Sequence, residues 1–209
     1  KSVKLLQIAE DCYYAIVNSA QAVLMFLGKE PPAPSKLYEV FKAELVDKNL
    51  VEPELAEWIK EIIELRKKIE HQEIINIDGK TLDLWIERAE KFSNKMIILL
   101  NLLELKKIEN IAEKTYSVML ELISRALSSL KIEFNKENMI EIFKKEFISK
   151  GLIPSYFKDT IDRVIEVNKF IKNKEYEKIN FEEVYNLREA VRLLIRDTSK
   201  ALKELGIKE

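Results

Sequence analysis

The only histidine of the chain, His71, and an arginine five positions before it, Arg66, have side chains that could act together on a phosphate. Histidine exchanges protons near neutral pH, and the arginine guanidinium can hold two phosphate oxygens at once. Acid–base chemistry on a phosphate needs a group that moves protons and a cation that stabilises the phosphate charge. We therefore take His71 as the candidate acid or base and Arg66 as the candidate phosphate ligand.

The stretch around this pair also fits an ordinary charged helix. Residues 65–72 read LRKKIEHQ, and their apolar members recur at helical spacing. On that interpretation the charged residues are a solvated face, and His71 lies where the helix dipole favours a cation. Five helical residues span a rotation of about 140°, so the two side chains converge only if the helix end unwinds or the arginine reaches around. Both interpretations stay open.

The composition excludes several classes of function. The chain has 35 basic and 36 acidic residues, so nucleic-acid binding would require a local basic patch. One cysteine and one histidine cannot make a Cys/His zinc set. The glutamates of residues 54–64 lack the Glu-x-x-His motif of di-iron bundles, and there is no glycine-rich phosphate loop. We expect neither a metal nor a cofactor.

The cellular setting is predicted from the same counts. A single cysteine fits a reducing, cytoplasmic environment. The most apolar runs are too short for a membrane span, and the first residues do not resemble a signal peptide, so we expect no membrane association. The chain does not begin with Met, which suggests a processed product or part of a longer protein. The high charge and scarcity of glycine are typical of a protein from a thermophile.

The spacing of apolar residues predicts an all-α protein. Apolar residues recur every three or four positions nearly throughout, which is the helical period. Proline-rich and glycine-containing stretches mark the predicted breaks, and Thr81 and Asn135 are predicted helix caps. Helices are predicted over 3–27, 36–48, 54–75, 82–105, 112–130, 135–149, 155–173 and 181–205.

The second half of the sequence repeats the first. With a shift of 102 residues, YEVFKAELVDKNLV at 38–51 aligns with IEIFKKEFISKGLI at 140–153. At nearly the same shift, AEDCYY at 9–14 aligns with AEKTYS at 112–117. We predict two tandem up-and-down helical bundles, 1–106 and 107–209, that form an intramolecular pseudo-dimer.

The repeat alters the interpretation of the opening pair. LRKKIEH at 65–71 aligns with VNKFIKN at 167–173, so Arg66 corresponds to Asn168 and His71 to Asn173. The apolar frame is kept, but both candidate residues are absent from the second copy. A structural role in a shared fold is expected twice, and this pair occurs once.

These segments resemble the HEPN domain (higher eukaryotes and prokaryotes nucleotide-binding). The resemblance rests on YYAIVNSAQAVL at 13–24, the short helix at 38–51, the following helix that ends in R-x4-H, and FKKEFISKGLIP at 143–154. It covers almost the whole chain as two copies, of which only the first carries the R-x4-H motif. It implies a bundle of four or five helices that pairs with a second such domain.

The resemblance also implies a function. Many members cleave RNA without a metal, and others bind nucleotides or proteins. It gives two expectations: an RNA-binding ribonuclease module of a toxin or defence system, or a non-catalytic nucleotide-binding or protein-interaction module. Partners implied are RNA or a nucleotide, a nucleotidyltransferase or antitoxin, and a second copy of the chain that would supply another His71. The predicted catalytic residues are Arg66 and His71, and the predicted binding residues are Lys67, Asn18, Asn168 and Asn173.

Overall fold

The structure, a computed structural model, describes residues 2–74 and 76–207. These residues are mostly helical and contain no strand, which confirms the predicted all-α class. The chain divides into two compact units, Lys1–Glu104 and Leu105–Glu209. Each unit has its own core of buried apolar side chains.

The first unit contains three helices and the N-terminal part of a fourth, with a short π-helical segment. Prolines open two of these helices, a position where the missing N–H leaves no hydrogen bond unmade. Fully buried side chains from every helix form its core, among them Ile16, Phe41, Ile59 and Phe92. The elements are α1 (Ser2–Phe26), α2 (Pro34–Phe41), the first π-helical segment (Lys42–Val46), α3 (Pro53–Glu70) and α4 (Gly79–Ser129).

The second unit is built from the C-terminal part of α4 and three further helices. Its core includes Met119, Phe143, Ile161 and Leu194. Asn180 caps the last helix, since its side-chain oxygen accepts a hydrogen bond from the backbone N–H of Glu182. The elements are α5 (Met139–Phe143), the second π-helical segment (Lys144–Ser149), α6 (Phe157–Lys172), a 3₁₀ turn (Tyr176–Lys178) and α7 (Phe181–Glu204).

Backbone features recur between the units at the shift found in the sequence. The two π-helical segments begin at Lys42 and Lys144, 102 positions apart. Three helix ends with a left-handed residue also recur, and each is closed by the same two backbone hydrogen bonds. The paired left-handed residues are Gly28 with Lys131, Asn49 with Gly151, and Gln72 with Lys174.

Buried positions recur in the same register. In the helix that opens each unit, small or apolar side chains are buried at matching positions, as at Ala9 and Ala112. In the helix that closes each unit, Phe92 corresponds to Leu194, and both are fully buried. The halves therefore agree in backbone geometry and core pattern as well as in sequence.

Three local predictions were wrong. The helices expected over 82–105 and 112–130 are one helix, α4, because residues 105–112 contain no glycine or proline to break it. The helix expected to reach residue 75 ends at Glu70. Asp78, not Thr81, caps α4, since its carboxylate accepts hydrogen bonds from the backbone and side chain of Thr81. These hydrogen bonds hold the pKa of Asp78 below its usual value.

None of the helices in the described ranges is both long enough and apolar enough to cross a lipid bilayer.

Candidate functional site

The C-terminal end of α3 decides where the candidate histidine lies. His71 is the residue that caps the helix, and Gln72 after it takes a left-handed conformation with φ of 59°. The backbone N–H groups of Gln72 and Glu73 donate to the carbonyls of Ile69 and Lys68, which is the Schellman arrangement. The chain therefore leaves the helix at His71.

Arg66 is held between α1 and α3 within the first unit. Its guanidinium carbon lies 4.6 Å from the centre of the Tyr13 ring and 5.6 Å from that of Tyr14. An Nη2 atom is 3.1 Å from a carboxylate oxygen of Glu70, one helical turn further along α3. Glu10 on α1 is 4.0 Å from the Nε atom. These contacts place the cation over aromatic faces and beside acids, where it joins two helices.

The Nε atom of Arg66 is buried and lacks a hydrogen-bond partner. Burial alone would lower the pKa of the guanidinium, but the charge of Glu70 and the tyrosine hydroxyls raise it on balance. Arginine stays charged in either case. The guanidinium group already contacts residues of the protein itself. A phosphate would therefore have to compete with Glu70 for the same nitrogens.

The His71 side chain is exposed, and its nearest charged neighbour is Glu73. The Nδ1 atom lies 3.8 Å from a carboxylate oxygen of Glu73, too far for a direct hydrogen bond. Both side chains are more than half exposed to solvent. Throughout the part of the chain that the structure describes, no hydrogen bond or ion pair joins His71 to Arg66.

The second unit reproduces these contacts with other residues. Tyr116 corresponds to Tyr13, and the Lys172 ammonium lies 5.7 Å from the centre of its ring. A cation from the third helix of the unit thus covers a tyrosine of the first helix in both copies. Asn168, the counterpart of Arg66, is a buried residue of α6.

The geometry of the helix end is reproduced as well. Asn173 ends α6 as His71 ends α3, and Lys174 after it is left-handed. Glu175, the counterpart of Glu73, accepts a side-chain hydrogen bond from Lys178, which lowers its pKa. In both units a polar residue therefore ends the helix two positions before a glutamate.

Within the described ranges, the side chains of the remaining predicted binding residues, Lys67 and Asn18, make no hydrogen bond or ion pair with Arg66 or His71, although the Lys67 carbonyl accepts a hydrogen bond from the backbone N–H of His71. Lys67 and Asn18 are exposed, on α3 and α1. Glu70 and Glu73 were missed as partners of the candidate pair. Two sequence signals could have found them: the i,i+4 spacing of Arg66 and Glu70, and the identity of Glu73 and Glu175 at the repeat shift.

No metal chemistry is indicated at this end of α3. Over residues 2–74 and 76–207 there is no cluster of three or more histidine, cysteine, aspartate or glutamate side chains that could hold a metal ion. Arg66, the candidate phosphate ligand, is held in place by its contacts with Tyr13 and Glu70. His71, the candidate for proton transfer, has an exposed side chain. Comparison of the chain with protein-family models, with curated proteins and with solved structures finds no match.

Proposed function

We propose that the chain consists of two HEPN-like helical bundles that pair as an intramolecular pseudo-dimer, and that it is a non-catalytic nucleotide-binding or protein-interaction module. The tandem organisation is supported by the two π-helical segments and the three left-handed helix ends that recur at the repeat shift. These backbone features would rarely recur at the same shift by chance, because a left-handed non-glycine residue is uncommon.

The observation that carries the non-catalytic function is the duplication of contacts around the candidate pair. Lys172 lies over the Tyr116 ring as Arg66 lies over the Tyr13 ring, and Asn173 ends α6 as His71 ends α3. Asparagine cannot transfer a proton, so the second unit forms this helix end without that chemistry. The contacts of Arg66 are thus explained by the packing of α3 against α1, and the position of His71 is explained by the end of α3.

A second candidate function, metal-independent RNA cleavage in a toxin or defence system, is favoured by the exposure of the His71 imidazole beside Glu73. A carboxylate next to an imidazole can orient it for proton transfer. In this case Arg66 would have to leave Glu70 to reach the phosphate, and the second proton transfer would need another group, such as His71 of a second copy. A nucleotidyltransferase or an antitoxin is the partner class that goes with either candidate.

An RNA-cleavage assay separates the two functions. The wild-type chain and a His71→Ala variant are incubated with single-stranded RNA in the presence of a chelator, and the products are resolved by length. We expect both proteins to leave the RNA intact. Cleavage by the wild type that is abolished in His71→Ala would overturn the non-catalytic proposal and establish the second candidate.

A further inference from the structure

The arginines of this chain fall into two groups that differ in exposure and partners. Only seven of the 35 basic residues are arginines. Arg66, Arg88 and Arg163 each pair with acids, at least one of them on another helix of the same unit, and their side chains are 22% to 32% exposed. The other four are 41% to 78% exposed and pair only with acids one to four residues away on their own helix. They are Arg125, Arg188, Arg192 and Arg196.

All four exposed arginines lie on the pair of helices α4 and α7 in the second unit. Arg188, Arg192 and Arg196 are spaced by four residues along α7, so they form one row about 12 Å long. Arg125 on α4 lines a groove between the two helices. Their ion pairs join neighbours on one helix, a class of interaction that adds little to stability, and every partner except Asp197 is more than half exposed. The fold of the unit therefore does not account for them.

The groove beside this row has walls of mixed chemistry. Its volume is about 610 Å³, within the range of small-molecule sites. Ser128, Ser129 and Ser199 supply hydroxyls at its walls, while Ile195 and Leu202 supply apolar surface. Glu121, the ion-pair partner of Arg125, also lines the groove. Guanidinium groups and hydroxyls bind phosphate oxygens, and an apolar wall accepts the face of a base.

The corresponding face of the first unit has different chemistry. Where the second unit has Arg125, Ser128 and Ser129, the first has Ala22, Met25 and Phe26. Where α7 has Arg188, Arg192, Arg196 and Ser199, α4 has Ile86, Glu90, Asn94 and Ile97. The same helix pair thus occurs twice, mostly apolar in one unit and rich in guanidinium and hydroxyl groups in the other. Because the buried positions match, the difference concerns the surface alone.

We infer that the α4–α7 face of the second unit binds the backbone of a single nucleic-acid strand, with the arginine row on successive phosphates and the groove on a base. An arginine side chain, unlike that of lysine, can bind two phosphate oxygens at a fixed geometry. A row of this length is too long for one phosphate, which selects a strand over a mononucleotide. The inference rests on the proposal that the chain is a binding module, and it concerns a different surface from Arg66 and His71.

The test is a fluorescence-anisotropy titration with a labelled 2′-O-methyl RNA of about 20 nucleotides. This RNA has no free 2′-hydroxyl to attack the adjacent phosphate, so the wild type cannot cleave it by that route. If three phosphates are contacted, wild-type affinity should fall about 20-fold between 50 and 200 mM salt, from a slope of about −0.7 per phosphate. The variant R188Q/R192Q/R196Q should bind about 10-fold more weakly at low salt, with a flatter salt dependence.

The matched control is K136Q/K145Q/K158Q, which removes the same charge from exposed lysines elsewhere in the second unit. It should change the affinity less than about threefold. A second variant, S129F/S199I, gives the groove the residues of the first unit and should weaken binding although every arginine is present. Circular dichroism and thermal unfolding check that each variant is folded.

Equal binding by the arginine variant and its lysine control would overturn the inference, as would failure of the wild type to bind. Single-stranded DNA and a DNA duplex form two further arms, and duplex binding as tight as strand binding would exclude a base in the groove. Displacement of the strand by polyglutamate at equal charge concentration would identify an acidic peptide as the ligand instead. RNA cleavage by the wild type would defeat the proposed function without changing these titrations.

Discussion

The guanidinium of Arg66 lies 4.6 Å from the centre of the Tyr13 ring and so joins α3 to α1 within the first unit. This contact gives the arginine a structural role that its sequence position does not reveal. Since Lys172 covers Tyr116 in the second unit, the role is conserved in the fold although the residue is not.

Replacing Arg66 should destabilise the first unit. Arg66→Ala removes a cation over two tyrosine rings and an ion pair with Glu70, for a combined loss of about 1–2 kcal/mol. The measurement is the free energy of unfolding in urea. Lys67→Ala, an exposed neighbour on the same helix, is the control and should stay within about 0.5 kcal/mol of the wild type. If the two variants unfold alike, Arg66 is not a structural link.

Substituting His71 by the residue of the second unit should preserve the helix end. Asn173 ends α6 with the same backbone hydrogen bonds that close α3 at His71, so asparagine suits this position. We expect the melting temperature of His71→Asn to match that of the wild type within about 2 °C. His71→Pro should lower it clearly, because proline removes the N–H that donates to Lys67. A stable proline variant would argue against this cap geometry.

The ion pair between Arg163 on α6 and Glu183 on α7 should make stability depend on pH. Arg163 holds the pKa of Glu183 below its usual value of 4.5, through hydrogen bonds from its Nε and Nη2 atoms. A lowered folded pKa means that the stabilisation is present above pH 4.5 and is lost as pH falls through the folded pKa. Urea unfolding from pH 6 to pH 3 measures it. Glu183→Gln should unfold with a shallower pH dependence, and an unchanged slope would refute the link.

The continuity of α4 through residues 105–112 can be tested with a proline. Asn110 is exposed and lies in mid-helix, so Asn110→Pro should cost about 3 kcal/mol or more by removing a hydrogen bond and clashing with the preceding turn. Asn110→Ala should be neutral or slightly stabilising. The free energy of unfolding of the two variants decides the question, since a loop at this point would tolerate the proline.

Much of the architecture could be predicted from the sequence because its signals are local. Apolar spacing predicts the helices, and the repeat at 102 residues predicts the matching helix ends. The joined helix α4 was missed because the boundary between units was expected to coincide with a break, although residues 105–112 contain no glycine or proline. The end of α3 at His71 was missed because Gln72 carries the left-handed turn, where glycine or asparagine is usual.

The candidate site was less predictable because its contacts depend on tertiary packing. The Arg66/His71 pair occurs in only one copy of the repeat, which suggested a function found in that copy alone. In the second copy Lys172, at a different position, covers the tyrosine, and Asn173, a different residue type, ends the helix. Aligning the two halves of the sequence does not show these equivalences. The exposed arginine row on α7 carried a compositional signal that appears only when lysine and arginine are counted separately: three of the seven arginines lie on this one helix.

The measurement that tests the account most directly is the rate of single-stranded RNA cleavage in chelator by three proteins: wild type, His71→Asn and Arg66→Lys. The two substitutions exchange the candidate residues for those found at the duplicated contacts of the second unit. The account predicts that the rate of RNA cleavage with each of the three proteins equals that of a protein-free control. Cleavage by the wild type that falls at least about 100-fold in His71→Asn, the loss expected for removal of a general acid or base, would contradict it.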